Sequence, residues 1–109
     1  MPEGNRRRDN RAISFFRTEV HSKKKYYVGY IVNISITGCA FAHENLTSVD
    51  EGGQVRVKFR MNGKIINVPA QVRWRDVTIM GLRFLKLADA SKKHLRDYIR
   101  TVTIRRIPL

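Results

Sequence analysis

The strongest constraint on the fold is a pair of alternating runs joined by Asn62-Gly63. Val55, Val57, Phe59 and Met61 alternate with Arg56, Lys58 and Arg60, and the returning run alternates Ile66, Val68, Ala70, Val72 and Trp74 with Asn67, Pro69, Gln71, Arg73 and Arg75. A period of two sends one set of side chains to a buried face and the other to water. Asn-Gly is the preferred pair for a two-residue type I′ turn, so the segment is committed to an antiparallel hairpin. Pro69, which has no N–H to give to a ladder, predicts an edge position or a bulge. Continuing the same alternation puts Trp74 with Val68, Ala70 and Val72, as a core residue at the end of a barrel.

The flanking sequence adds strands. Ile13 to Val20 is rich in β-branched and aromatic residues, and Tyr26, Val28, Tyr30, Val32 and Ile34 alternate as one face of another strand. On that phase two of the three tyrosines Tyr26, Tyr27 and Tyr30 fall on the core face. His21 to Lys25 reads as a basic hairpin loop, a short strand from about Cys39 to Ala42 precedes a polar loop from His43 to Gly53, and a last strand spans about Thr78 to Leu85. Near the C-terminus Leu95, Tyr98, Ile99 and Val102 fall at i, i+3, i+4 and i+7, one apolar stripe on a helix over about 89–103, with Asp89 or Ser91 as its cap. About six strands and one helix predict a mainly β protein: an antiparallel barrel with the helix over one open end or face. A length of 109 residues allows one such domain, 12–109, preceded by an arm of residues 1–11.

Charge narrows the partners. Lys and Arg number 22 against 9 Asp and Glu, a net charge of +13, which attracts polyanions: nucleic acid, an anionic membrane surface, an acidic protein or a phosphate-bearing small molecule. The single cysteine, Cys39, excludes an internal disulfide and reads as a small buried residue, and the three histidines show no metal-ligand spacing. No paired carboxylates and no nucleophile with a neighbouring base are evident, so an enzyme is not expected. No signal-peptide pattern and no stretch long enough to span a membrane occur, which makes the cytoplasm the expected location.

Two constellations carry recognition chemistry. The first is the run Arg6, Arg7, Arg8, Asp9, Asn10, Arg11, in which Arg7 and Arg11 form Arg-x-x-x-Arg. Guanidinium groups grip phosphate oxygens bidentately, bond the O6 and N7 edge of guanine and stack on purines. Its composition is polar and basic, and such an arm should be mobile until an anion neutralises it. The second is Asn33-Ile34-Ser35-Ile36-Thr37-Gly38 at the end of a strand. There Asn33 and Ser35, two residues apart, should project together as an outward ledge beside Gly38, a residue able to take positive φ or to admit a ligand close to the backbone.

In order and separation, these two motifs resemble the signature of the PilZ domain family, an N-terminal Arg-x-x-x-Arg followed by Asp/Asn-x-Ser-x-x-Gly. The resemblance extends through Gly29-Tyr30-Ile31-Val32, the Asn62-Gly63 hairpin, Val72-Arg73-Trp74, Gly81-Leu82-Arg83-Phe84 and the C-terminal helix, nearly the whole chain. It implies a six-stranded antiparallel barrel that binds cyclic di-GMP, with the arm folded over the ligand. Arg7 and Arg11 would hold phosphates and a guanine, with Arg6 or Arg8 assisting, while Asn33, Ser35 and Gly38 would hold a guanine from the other side. Trp74 stands near a position where some members set an aromatic against a guanine. Asn33 replaces the more usual Asp and gives up a carboxylate acceptor for the guanine N1 and N2 donors. No further cofactor is implied. A receptor of this kind acts by changing its own shape or that of an effector protein. The competing reading is a basic barrel that binds RNA or DNA through charge, which accounts for +13 more directly but leaves the second motif unexplained.

Overall fold

The computed structural model describes residues 12–106. Six strands, β1 (Ala12–His21), β2 (Tyr26–Ile34), β3 (Gly38–Ala42), β4 (Gln54–Met61), β5 (Lys64–Arg75) and β6 (Ile79–Phe84), precede one helix, α1 (Asp89–Arg106). The strands close into a barrel in the order β1-β2-β3-β6-β5-β4, and every neighbouring pair is antiparallel. Residues 18–21 of β1 pair with residues 56–59 of β4 and close the barrel.

The hairpin forms as its sequence dictates. Val55, Val57, Phe59 and Met61 are buried, as are Ile66, Val68, Ala70 and Val72. Asn62 and Gly63 have φ of 49° and 81°, the positive pair that a type I′ turn demands. Pro69 sits neither at an edge nor in a bulge. It pairs with Arg56, and its carbonyl accepts the Leu85 N–H at 2.9 Å. Its missing donor therefore points to where β6 has just ended, and the ladder loses one bond at its last rung.

Both ends of the barrel are covered. Leu95 and Ile99 of α1 enter the core, Tyr98 packs on Phe16 with ring centroids 5.2 Å apart, and His94 Nε2 lies 2.7 Å from the Met61 carbonyl oxygen. The helix is thus fastened where β4 ends. Val102, the fourth member of the stripe, lies outside the described side chains. Asp89 occupies the first helical turn, where a carboxylate suits the helix dipole, and the helix runs on to Arg106. At the opposite end the loop after β3 drops Leu46 and Val49 into the core. Cys39 is buried, as expected for a small residue. No described helix is long and apolar enough to cross a membrane.

The phase of β2 reverses the expected one. Tyr27, Ile31 and Ile34 are buried, while Tyr26 and Tyr30 are 60% and 51% exposed. The cause is a β-bulge: Ile31 faces Phe41 and Asn33 faces Ala40, so β2 carries one extra residue, Val32, against β3. The bulge shifts the inward set from odd to even numbers. Reading the alternation backward from Ile34 through a bulge that sequence does not reveal put Tyr26 and Tyr30 on the wrong face.

Candidate functional site

A groove of about 500 Å³ lies on the outer wall made by β2, β3, β6 and β5. Register explains it. Asn33 on β2 faces Ala40 on β3, Ala40 faces Gly81 on β6, and Gly81 faces Trp74 on β5. Two small residues in the middle of this row leave a trough between an amide and an indole.

Trp74 reaches this wall through a second bulge. Val72 faces Leu82 and Trp74 faces Gly81, so Arg73 is the extra residue on β5. The inward phase ends at Val72, and both Arg73 and Trp74 turn outward. Trp74 is 47% exposed, which corrects its expected place in the core. Its indole lies directly over Gly81, where any side chain would collide with the ring. The ring in this position therefore depends on the absence of a side chain at residue 81, and about half of Trp74 remains exposed toward the groove.

The turn after β2 also departs from the outward ledge. Ser35 is fully buried, because β2 ends at Ile34 and the period of two does not extend to it. Its N–H donates to the Gly38 carbonyl at 2.8 Å, and its hydroxyl accepts the Thr37 N–H at 3.2 Å and lies 2.9 Å from Thr37 Oγ1. The Thr37 carbonyl accepts the Phe84 N–H at 2.8 Å, which ties the turn to the end of β6. Ser35 builds the turn; it does not present a hydroxyl to solvent beside Asn33. Gly38 likewise serves a different need from positive φ, which among the described residues belongs to Asn62, Gly52 and Gly63. A Cβ on Gly38 would overlap the Leu82 carbonyl oxygen, so the glycine allows β3 to approach β6.

Of the candidate residues, the structure brings Asn33, Gly38 and Trp74 to one groove and sets Ser35 beneath its rim. Arg6, Arg7, Arg8 and Arg11 lie outside the described residues. The strand that follows them begins at the groove, with Ala12 opposite Ile34 and Ile13 opposite Asn33. Two lining residues had no role assigned from sequence, Arg73 and Arg83, both exposed. Each stood in a recognisable segment, but only the β5–β6 register shows that they border one trough. Among the described residues no acidic side chain lines it, so their field favours an anion. Among the described residues no cluster of His, Cys, Asp and Glu could hold a metal ion.

The family profile described as PilZ domain matches residues 5–101. Among solved structures, the fold is similar to that of Bacillus subtilis MotI/DgrA, inhibitor of motility, with a TM-score of 0.83 and 19% identity over 94% of this chain and 53% of that one. It is also similar to the PilZ domain of YcgR from Escherichia coli, solved with c-di-GMP, with a TM-score of 0.77 and 14% identity over 92% of this chain and 93% of that one. The K. pneumonia MrkH–c-di-GMP complex gives a TM-score of 0.73 and 15% identity over 91% of this chain and 53% of that one. The chain therefore spans about half the length of MotI and of MrkH. Comparison with curated proteins finds no match.

Proposed function

The chain belongs to the PilZ domain family, and from that premise we propose that it is a receptor for cyclic di-GMP, with its site in the groove between Asn33 and Trp74. Arg7 and Arg11 grip phosphate oxygens and a guanine edge, and Arg6 and Arg8 add positive charge beside them. Asn33 accepts from the guanine N1 and N2 donors, held in place by the turn that Ser35 and Gly38 shape. Trp74, half-exposed in the groove, stacks on a base. The observation that carries this reading is the pairing of Ala12 and Ile13 with Ile34 and Asn33: the chain carrying the arginine motif enters the barrel at the rim of a trough that no described acidic residue lines. The similar folds of the YcgR PilZ domain and MrkH, both solved with c-di-GMP, support the same ligand.

The receptor does no chemistry and needs no cofactor besides its ligand. Binding draws the arm over the nucleotide, and the face so formed is what an effector protein in the cytoplasm reads. Calorimetric titration with cyclic di-GMP, with GTP as control, tests the assignment. Micromolar or tighter binding is expected, with a loss of about 2 kcal/mol or more for Arg7→Ala or Arg11→Ala, the cost of a charge-assisted contact. Parent-like affinity in the double variant would place the ligand elsewhere.

A further inference from the structure

The wall opposite the groove has a different chemistry. It is formed by β2, β1, β4 and the first half of β5, and register sets its outward side chains in rows: Tyr30 beside Arg17, and Tyr26 beside His21 and Arg56. Between these rows Val28, Glu19, Lys58 and Asn67 stand in line. Arg60 stands opposite Ile65. Four fixed cations, Arg17, Arg56, Lys58 and Arg60, thus share a face with Glu19, the one carboxylate in these rows, which is itself 3.1 Å from His21 Nε2. A shallow hollow of about 280 Å³ opens among Arg17, Glu19, Lys58, Phe59, Arg60 and Ile65.

We propose that this wall is a second binding surface, for single-stranded nucleic acid, with Tyr26 and Tyr30 as stacking platforms and Arg17, Arg56, Lys58 and Arg60 as phosphate contacts. Three observations support that occupant. Tyr26 and Tyr30 expose more than half their surface, whereas Tyr27 between them on the same strand is buried. They lie four residues apart on one strand, about 13 Å at the usual rise per residue, so each can take its own base along one strand of nucleic acid. The Tyr26 ring already stacks on His21, centroids 5.0 Å apart and planes 11° from parallel, which fixes it flat.

The second support is charge. Cyclic di-GMP carries two phosphate charges against a net charge of +13, and the groove uses none of the cations on this wall. A strand of phosphates complements them. The third is the mixture itself: cations interleaved with flat rings match a polymer that alternates phosphate and base. A membrane surface would call for an apolar stripe, and among the described side chains in those rows Ile65 is the lone strongly exposed aliphatic residue. A duplex hides the base faces that the rings need. Because the groove lies on the other wall, both ligands can be held at once.

Fluorescence anisotropy with labelled oligo(U) and oligo(dT) twelve-mers, within the usual range of about 4–16 nucleotides for a small single-strand-binding barrel, tests this, with the corresponding duplex and inorganic polyphosphate as comparisons. Single strands should bind more tightly than duplex. Their affinity should fall with salt at a slope of about −3, as expected for four phosphate contacts on a single strand. Tyr26→Ala with Tyr30→Ala should weaken single-strand binding roughly tenfold or more while leaving polyphosphate binding, melting temperature and cyclic di-GMP affinity unchanged. Tyr26→Phe with Tyr30→Phe should restore it, since the ring and not the hydroxyl stacks. Parent-like binding by the double alanine variant, or polyphosphate binding as tight as the single strands, would reduce the wall to a non-specific cationic surface and overturn the proposal. Displacement of the oligonucleotide by cyclic di-GMP would overturn it too, by moving the polymer to the groove. Failure of cyclic di-GMP to bind at all would touch only the groove's assignment.

Discussion

Along the β4–β5 hairpin every second residue from Val55 to Met61 and from Ile66 to Val72 is buried, whereas two of the strands that form the groove, β2 and the far end of β5, break that rhythm beside it. On β2 the extra residue is Val32, next to Asn33; on β5 it is Arg73, next to Trp74. The half of the barrel centred on the β4–β5 hairpin is regular as far as Val72, although every strand contributes to the core. In the other half, one surplus residue in each of two strands turns side chains that alternation assigns to the interior out to the surface, or the reverse. Bulges placed beside a site re-aim side chains, and here two of them set the two walls of one trough.

The comparison predicts that the regular half and the bulged half answer differently to mutation. Phe59→Ala removes a ring from the regular half, where Phe59 is buried and 5.9 Å from the Phe16 ring, centroid to centroid. A loss of about 3–5 kcal/mol in denaturant unfolding is expected. Affinity for cyclic di-GMP, measured where the variant is still folded, should stay that of the parent. A drop in affinity as large as the drop in stability would mean that the two halves are not separable.

Gly38→Ala comes next, and it marks the limit of the comparison. Gly38 is at the groove, yet its role is to let β3 approach β6, and an added methyl would overlap the Leu82 carbonyl oxygen. Backbone cannot yield as a side-chain tip can. An overpacking cost of about 3 kcal/mol is expected, so this variant should lose stability and affinity together. Melting close to that of the parent would show that the two strands can part there. The contrast with Gly63, whose φ is 81° and whose Cβ would meet nothing, separates two reasons for a glycine that look alike in sequence.

Trp74→Ala should do the converse. The indole is about half exposed and rests on Gly81, so its removal opens no cavity in the core. Affinity for cyclic di-GMP should fall by about 1–3 kcal/mol, the worth of a base stacked on an aromatic ring, with the melting temperature nearly unchanged. A large fall in melting temperature with unchanged affinity would return Trp74 to the structural role that alternation assigned it.

What the sequence disclosed and what it hid divide along the same line. The hairpin, its Asn62-Gly63 turn, the closing helix stripe through Leu95 and Ile99 and the six-strand count were all legible, because each rests on a local period or a turn preference. The exposure of Tyr26, Tyr30 and Trp74 and the burial of Ser35 were not legible. A bulge leaves no residue-type signature at Val32 or Arg73, and its position is set by what lies across the sheet, Ala40 and Gly81. Arg73 and Arg83 escaped notice for the same reason, since their partnership exists only in the register. The motif residues Asn33 and Gly38 stood out in the sequence and line one groove in the structure, whereas the outward ledge read from the period of two misjudged how Ser35 and Gly38 serve the turn.

The smallest expected effect concerns Asn33, half-buried at the rim. Asn33→Asp replaces an amide oxygen with a carboxylate that can accept from both guanine donors, and charge-assisted bonds are about twice as strong as neutral ones. Against this, a negative charge weakens the attraction between the site and the ligand's phosphates. At about 10 Å in water that repulsion is about 0.4 kcal/mol before screening, and physiological salt reduces it further. The gained bond is worth about 1 kcal/mol, so the bond wins and affinity should rise a few-fold. Raising the salt should enlarge the gain, because screening removes the opposing term and leaves the short contact. Titration calorimetry at low and high salt reads both effects. Weaker binding by the Asp variant at both salts would mean that Asn33 uses its amide N–H₂ as a donor, toward a phosphate or the guanine O6 edge, and the nucleotide would then lie in the groove the other way round.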